Sequence, residues 1–362
     1  MRRAPFPDPS RRSGNLYDKF SSTPDGVGLP GRREVLADGS RVIDGFLDVP
    51  PRRRVVISTD VANEADDAFA VAYALLSPSL DVRCVVPTHF GQRGVADSLG
   101  ASRVELARLL AAMDRTDSVV VRDGSPRAMS DPLTPVDSPG ARAIVSEALS
   151  DDPQPLFVLC LGSLTDMASA LLLEPAIAEE DVTVVWIGGP SNPPDPVPLY
   201  WPEFNLSNDL VAANVVFGSE AQLWQIPMNT YASCAVSYAE LLDRVAPQGE
   251  LGQYLMRQLY NWAEGFGWDW ELKHLSDCAA VAAAIRDDFG RFDLIPAPLF
   301  NEQFENVATD GNRSIRVYQA VDRRFLFEDL FGKIKLFASC GGLGTYPPRH
   351  PVEEGVSWGW QH

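Results

Sequence analysis

The sequence predicts an α/β fold: a mostly parallel central sheet flanked by helices, Rossmann-like in layout. Three observations carry this. A unit of strand, loop and helix repeats five times along the chain. The strand segments are short, continuous apolar runs, as expected of strands covered on both faces. No internal repeat and no clear linker interrupts residues 52–340. Alternating strands and helices of this kind build a parallel sheet with helices packed on it.

The elements follow in order. Val55-Val56-Ile57 is a β-branched run between Arg52-Arg53-Arg54 and Ser58-Thr59-Asp60, and reads as the first strand. Residues 68–76 are rich in Ala and Leu and form a helix that stops before Ser77-Pro78. Strands are expected at 82–86, 118–121, 156–161 and 182–187, with helices at 95–113, 141–149 and 164–173 between and beside them. Residues 190–202 hold six prolines and form an irregular loop. Further on, 209–217 reads as helix, 221–226 as strand, 238–264 as helix and 278–286 as an Ala-rich helix. The expected organisation is an extended N-terminal arm at 1–51, one catalytic domain at 52–340, and an irregular tail at 341–362.

Composition narrows the function. The 362 residues are 45% hydrophobic and 22% charged, which is ordinary usage for a folded chain. The net charge is -18, so a general attraction to nucleic acid or to anionic membrane is not expected. There is neither a membrane span nor a signal peptide by sequence, and the expected location is the cytoplasm. The five cysteines are scattered without a CxxC pair, which argues against zinc or a disulfide framework and for a reducing compartment.

In a parallel sheet the ligand sits outside the carboxyl ends of the strands, so the residues just after each strand are where chemistry belongs. After the first strand, residues 60–67 hold Asp60, Asn63, Glu64, Asp66 and Asp67. Carboxylates this crowded repel one another, and a hard divalent cation is the natural counter-charge. A helix start merely decorated with acids would account for one Asp, not for three and a Glu. Leu161-Gly162-Ser163-Leu164-Thr165-Asp166 follows a later strand, and alone is an ordinary strand-to-helix turn. Ile187-Gly188-Gly189-Pro190 and then Glu203-Phe204-Asn205 offer close backbone approach and two polar groups able to bond sugar hydroxyls, or else a plain polar edge. Asp277, before the Ala-rich helix, either caps that helix or reaches the acid cluster from the other side.

Taken together and in this order, the four segments resemble the inosine–uridine-preferring nucleoside hydrolase family, over about residues 52–335. The resemblance implies that fold and a Ca2+-dependent hydrolysis of the N-glycosidic bond of a ribonucleoside or related ribosyl compound. It implies Ca2+ held by Asp60, Asp67, Asp277 and the main-chain carbonyl of Leu161, with Asp60 also orienting and deprotonating the attacking water. Asp66 would bind a ribose hydroxyl, and Glu203 and Asn205 the outer ribose hydroxyls. Asn63 facing the sugar and His89, just past strand 82–86, are further expected ligand contacts. The aromatic segment 262–270, with Trp268, would stack on the base or else anchor its loop. Family members are commonly homo-oligomers, so a homodimer or homotetramer is expected. Carboxylates around the ring would stabilise the oxocarbenium character that builds as the bond breaks.

The chain departs from the family pattern in three places. Five residues, not three, separate Asp60 from the doubled Asp66-Asp67. Ser58 stands where the family has an Asp. Ser276 stands where it often has the His that protonates the leaving group. His274 is either that acid's substitute or a surface capping residue. Two other readings stay open at this stage: a sugar-binding protein that keeps the cation without turnover, and a hydrolase of another glycoside using Glu203 and an Asp. An aspartyl-phosphate phosphatase would want two Asp one residue apart, which Asp60-Val61-Ala62 does not supply.

Overall fold

In the computed structural model, which describes residues 51–91, 95–266, 271–309 and 311–339, the central sheet is built around β1 (Arg53–Thr59). Its Val55, Val56 and Ile57 are fully buried, because both faces of the strand are covered. The expected arm and tail, Trp268 and Cys340 lie outside the described residues, Pro51 apart.

From β1 the chain enters α1 (Asp66–Leu75) and returns through β2 (Leu80–Pro87). Two helices follow, α2 (Ser98–Ala112) and α3 (Pro139–Ala148), then β3 (Leu156–Cys160), α4 (Thr165–Leu173) and β4 (Val182–Ile187). Beyond the proline loop come α5 (Phe204–Asn208), α6 (Leu210–Gly218), β5 (Gln222–Ile226) and α7 (Met228–Tyr231). A small antiparallel pair, β6 (Ala235–Ser237) and β7 (Leu272–His274), flanks α8 (Tyr238–Arg244) and α9 (Gly249–Phe266). The described chain closes with α10 (Cys278–Ile285), β8 (Gly290–Pro296), β9 (Leu299–Phe300), β10 (Asn306–Val307), β11 (Ser314–Val321) and α11 (Arg323–Ser339).

The seven-stranded sheet has the order β2-β1-β3-β4-β5-β11-β8. All pairings are parallel except that of β8, which runs antiparallel to β11 at the edge. Chain order reverses between β1 and β3, and in such sheets the crevice at that switch point is where ligands bind. Helices α1 and α10 pack against each other there; both are Ala-rich and almost wholly buried.

The structure departs from the expected elements in several respects, among them the closing helix α11 and the small β6–β7 pair, neither of which the sequence pattern marked. Residues 118–121 do not form a strand; only Val121 bridges to Val85. The helix expected at 238–264 is two helices, parted by the turn at Pro247 and by Gly249, whose φ is +60°. The strands β8 and β11 went unread, because their burial alternates instead of forming an apolar run.

Candidate active site

The acid loop leaves β1 at its carboxyl end and turns at once: the Asn63 N–H donates to the Asp60 carbonyl at 2.7 Å. Three residues later Asp66 and Asp67 open the first turn of α1, where the helix amides favour negative charge. Asp60, Asp66, Asp67 and Asp277 are all at most 5% exposed. Carboxylate oxygens of Asp66, Asp67 and Asp277 lie within 4.8 Å of one another.

Asp277 resolves its two readings. It occupies the N-cap position of α10, yet its side chain makes no capping bond. The Ala279 and Ala280 amides of the first turn bond the Ser276 and Asp277 carbonyls, and Asp66 Oδ2 accepts from the Ser276 and Asp277 amides just ahead of the helix at 3.0 and 3.4 Å. The Asp277 carboxyl is thereby free to turn inward, where it shares a hydrogen bond with Asp67. Thr59 Oγ1 holds the other side of Asp67.

Burial and mutual repulsion make this cluster hold protons when no cation is present. Burial first, then the Glu64 carboxylate, pushes the Asp66 carboxyl up to about 8. Burial pushes Asp67 up to about 6 against its hydrogen bonds from Thr59 and Asp277. Asp60 and Asp277 are held well above the ordinary carboxylate range, chiefly by burial and then by their acidic neighbours. Asp60 Oδ2 and Asp66 Oδ1 are buried with no hydrogen-bond partner among the described residues. An all-oxygen, anionic donor set with unfilled oxygens suits a hard divalent cation.

The turn after β3 supplies the opposite wall. A Cβ on Gly162 would lie 2.6 Å from Asp60 Oδ1, so only glycine lets the turn pass this close to the carboxylate. The Leu161 carbonyl accepts from Asn205 Nδ2 at 2.7 Å and keeps a second lone pair. The same Asn205 amide also bonds the Ile187 carbonyl at 2.8 Å, tying the ends of β3 and β4 together. Glu203 caps α5 and is filled by its own neighbours. Its Oε2 accepts from the Gly189 and Leu206 amides, and its Oε1 from Tyr231 Oη and the Asn205 amide. The φ of +78° at Gly189 aims its amide at Glu203, while Gly188 makes room for the Trp186 ring. In the structure the glycine pair serves packing, where the sequence suggested ligand approach.

His89 is buried, and burial lowers its pKa, so the ring is neutral. Nδ1 accepts from the Gly91 amide at 3.3 Å, which leaves Nε2 to donate to Thr165 Oγ1 at 2.9 Å. Thr165 in turn donates to Asp209 Oδ2 at 2.6 Å. Asp166, quoted with the turn motif, is a structural carboxylate. It accepts from the Ser125 amide, the Ser125 and Ser138 hydroxyls, and the Thr88 hydroxyl, and so gathers three loops.

The remaining expected residues fall as follows. Asn63 is half-buried in the acid loop. His274 follows Lys273 on β7, so their side chains leave on opposite faces. Lys273 pairs with Glu64 and feels the charge of Asp66, whereas His274 bonds the Ala232 backbone, and its Nδ1 has no hydrogen-bond partner among the described residues. Among the described residues, no hydrogen bond joins His274 to the four aspartates. Three side chains at the site went unread in the sequence: Lys273, Tyr231 and Tyr200, whose phenol meets that of Tyr231 at 2.6 Å. Lone tyrosines and a lone lysine carry no spacing signal; only Lys273's place four residues before Asp277 was there to notice.

Residues 55–326 match the inosine-uridine preferring nucleoside hydrolase family. A probable uridine nucleosidase 2 from Arabidopsis thaliana is 26% identical over 269 residues, which cover 66% of this chain and 79% of that one. Among solved structures, a plant nucleoside hydrolase superposes with a TM-score of 0.65 at 20% identity, covering 79% of this chain and 99% of its own. A purine-preferring ribonucleoside hydrolase from Gardnerella vaginalis gives 0.63 at 18% identity, with the same coverage.

Proposed function

The chain belongs to the inosine-uridine preferring nucleoside hydrolase family, and from that premise we propose that it is a Ca2+-dependent hydrolase of ribonucleosides or a close ribosyl derivative. The reaction class, hydrolysis of an N-glycosidic bond, comes with the family. The observation that carries the finer reading is the convergence of Asp66, Asp67 and Asp277 beside Asp60, four buried carboxylates of which Asp60 Oδ2 and Asp66 Oδ1 have no hydrogen-bond partner among the described residues.

Asp60, Asp67, Asp277 and the Leu161 carbonyl would hold the cation. When bound, it supplies positive charge that makes water at the site more acidic. Asp60 has an unpartnered Oδ2 with which to accept a proton from that water and orient it. Asp66 keeps Oδ1 free for a ribose hydroxyl while Oδ2 is anchored on α10. Asn205 and Glu203 would take the outer hydroxyls; Glu203 is already filled, so a hydroxyl there exchanges with the Tyr231 phenol. Asn63, His89 and Trp268 complete the expected sugar and base contacts, and His274 remains the proposed leaving-group acid. For that last role it would need a rotation away from the Ala232 backbone. A cytoplasmic location is in keeping with the four buried free thiols among the described residues, and a homodimer or homotetramer is the expected assembly.

The test is base release from purine and pyrimidine nucleosides, each as ribo and 2′-deoxyribo forms. Release from ribonucleosides with loss on the deoxy forms supports the reading, since the acids hold ribose hydroxyls. Ligand-dependent stabilisation without release from any of them would favour the sugar-binding alternative.

A further inference from the structure

The acid loop brings Glu64 to a specific partner. Lys273 on β7 is 3% exposed, yet it carries a charge. Burial works to lower its pKa, but the Glu64 and Asp66 carboxylates outweigh that and hold it above its ordinary value. Its ammonium forms an ion pair with Glu64 and lies 3.8 Å from the centre of the Trp262 ring on α9. The pair therefore joins the acid loop to β7 and α9, next to the point where α10 begins.

We propose that Lys273 is a positioning residue which, through Glu64, holds the acid loop so that Asp66 and Asp67 meet Asp277. This rests on the reading of the site as a cation and ribose site. A loop of five residues between Asp60 and Asp66 has conformational freedom to lose on taking one path. A buried ammonium that must keep its carboxylate partner is a strong restraint on where that loop can go.

Lys273 also bears a positive charge beside the cluster, and charge alone makes a different forecast from positioning. If Lys273 acts only as a charge, Lys273→Met makes the site more negative and tightens Ca2+. The double variant Glu64→Ala/Lys273→Met, neutral overall, would then bind like wild type. If the pair positions the loop, both variants bind Ca2+ at least tenfold more weakly than wild type. The measurement is isothermal titration of Ca2+ into the full chain, freed of metal beforehand, alongside thermal unfolding in chelator. Weaker binding in the double variant supports the proposal. Wild-type affinity in the double variant, or tighter binding in Lys273→Met, overturns it. So does a drop in chelator stability with Ca2+ affinity unchanged, the mark of a merely structural pair. Should one variant fail to fold, the other decides. A wild type that binds Ca2+ but releases no base refutes the hydrolase reading and leaves the affinity comparison intact. A wild type that binds no Ca2+ overturns the positioning proposal with it.

Discussion

Asp277→Asn is expected to stabilise the metal-free protein while removing most of its response to Ca2+. Asn is as good an N-cap residue as Asp, and Asp277 caps nothing, so α10 is undisturbed. Asp277 faces Asp66 and Asp67 with oxygens within 4.8 Å. At that separation and an effective dielectric of about 20, two like charges repel by about 3.5 kcal/mol. The carboxyls evade part of this by holding protons, so the gain in chelator at pH 8 is about 1–3 kcal/mol. For a domain of this size that is a rise in Tm of about 2–8 °C. Loss of one anionic ligand weakens Ca2+ on the order of a hundredfold, removing about 2.7 kcal/mol of cation-dependent stabilisation. Thermal unfolding by circular dichroism, with millimolar CaCl2 and with chelator, reads both effects. An unchanged Ca2+ shift would show that Asp277 does not hold the cation, and a lower Tm in chelator that it does not repel its neighbours.

Three further outcomes are expected. Metal-free stability falls between about pH 4 and pH 8. The unfolded Asp value is 3.8 and the folded values of Asp67 and Asp66 are about 6 and about 8, so the folded protein holds the extra protons in that window. Chelator Tm should drop from pH 5 to pH 8, and Asp66→Asn should flatten that slope; a flat wild-type profile would contradict the sign. Gly162→Ala drives a Cβ to 2.6 Å from Asp60 Oδ1; it should cost about 1–3 kcal/mol of stability and lower base release at least tenfold, and an unchanged turnover would remove Gly162 from the site. Asp166→Ala strands the Ser125 amide and three hydroxyls; urea unfolding should show a loss of about 3 kcal/mol or more, with a loss below about 1 kcal/mol counting against that network.

Much of the scaffold was legible because parallel strands buried on both faces leave continuous apolar runs. Val55-Val56-Ile57, residues 156–160 and 182–187 are such runs, and all three lie in the sheet as expected. The edge of the sheet was not legible, since β8 shows solvent half its side chains and reads as a polar segment. The acid loop stood out because four acids in eight residues have no bland explanation. Asp277 was ambiguous, since a helix cap and a cluster member look alike in one dimension. The tie was broken only by Asp66 reaching across 211 positions to serve the Asp277 amide. Lys273 stayed hidden for a similar reason: its partner Glu64 lies 209 residues away.

The most direct measurement compares base release by wild type and Asp60→Ala, each with Ca2+, with chelator, and with Ca2+ restored after chelation. Wild type should release base in Ca2+, lose that activity in chelator and regain it on restoration, while Asp60→Ala stays inactive throughout and still folds. Release that persists in chelator or in Asp60→Ala would contradict a cation held by these aspartates as the centre of the reaction.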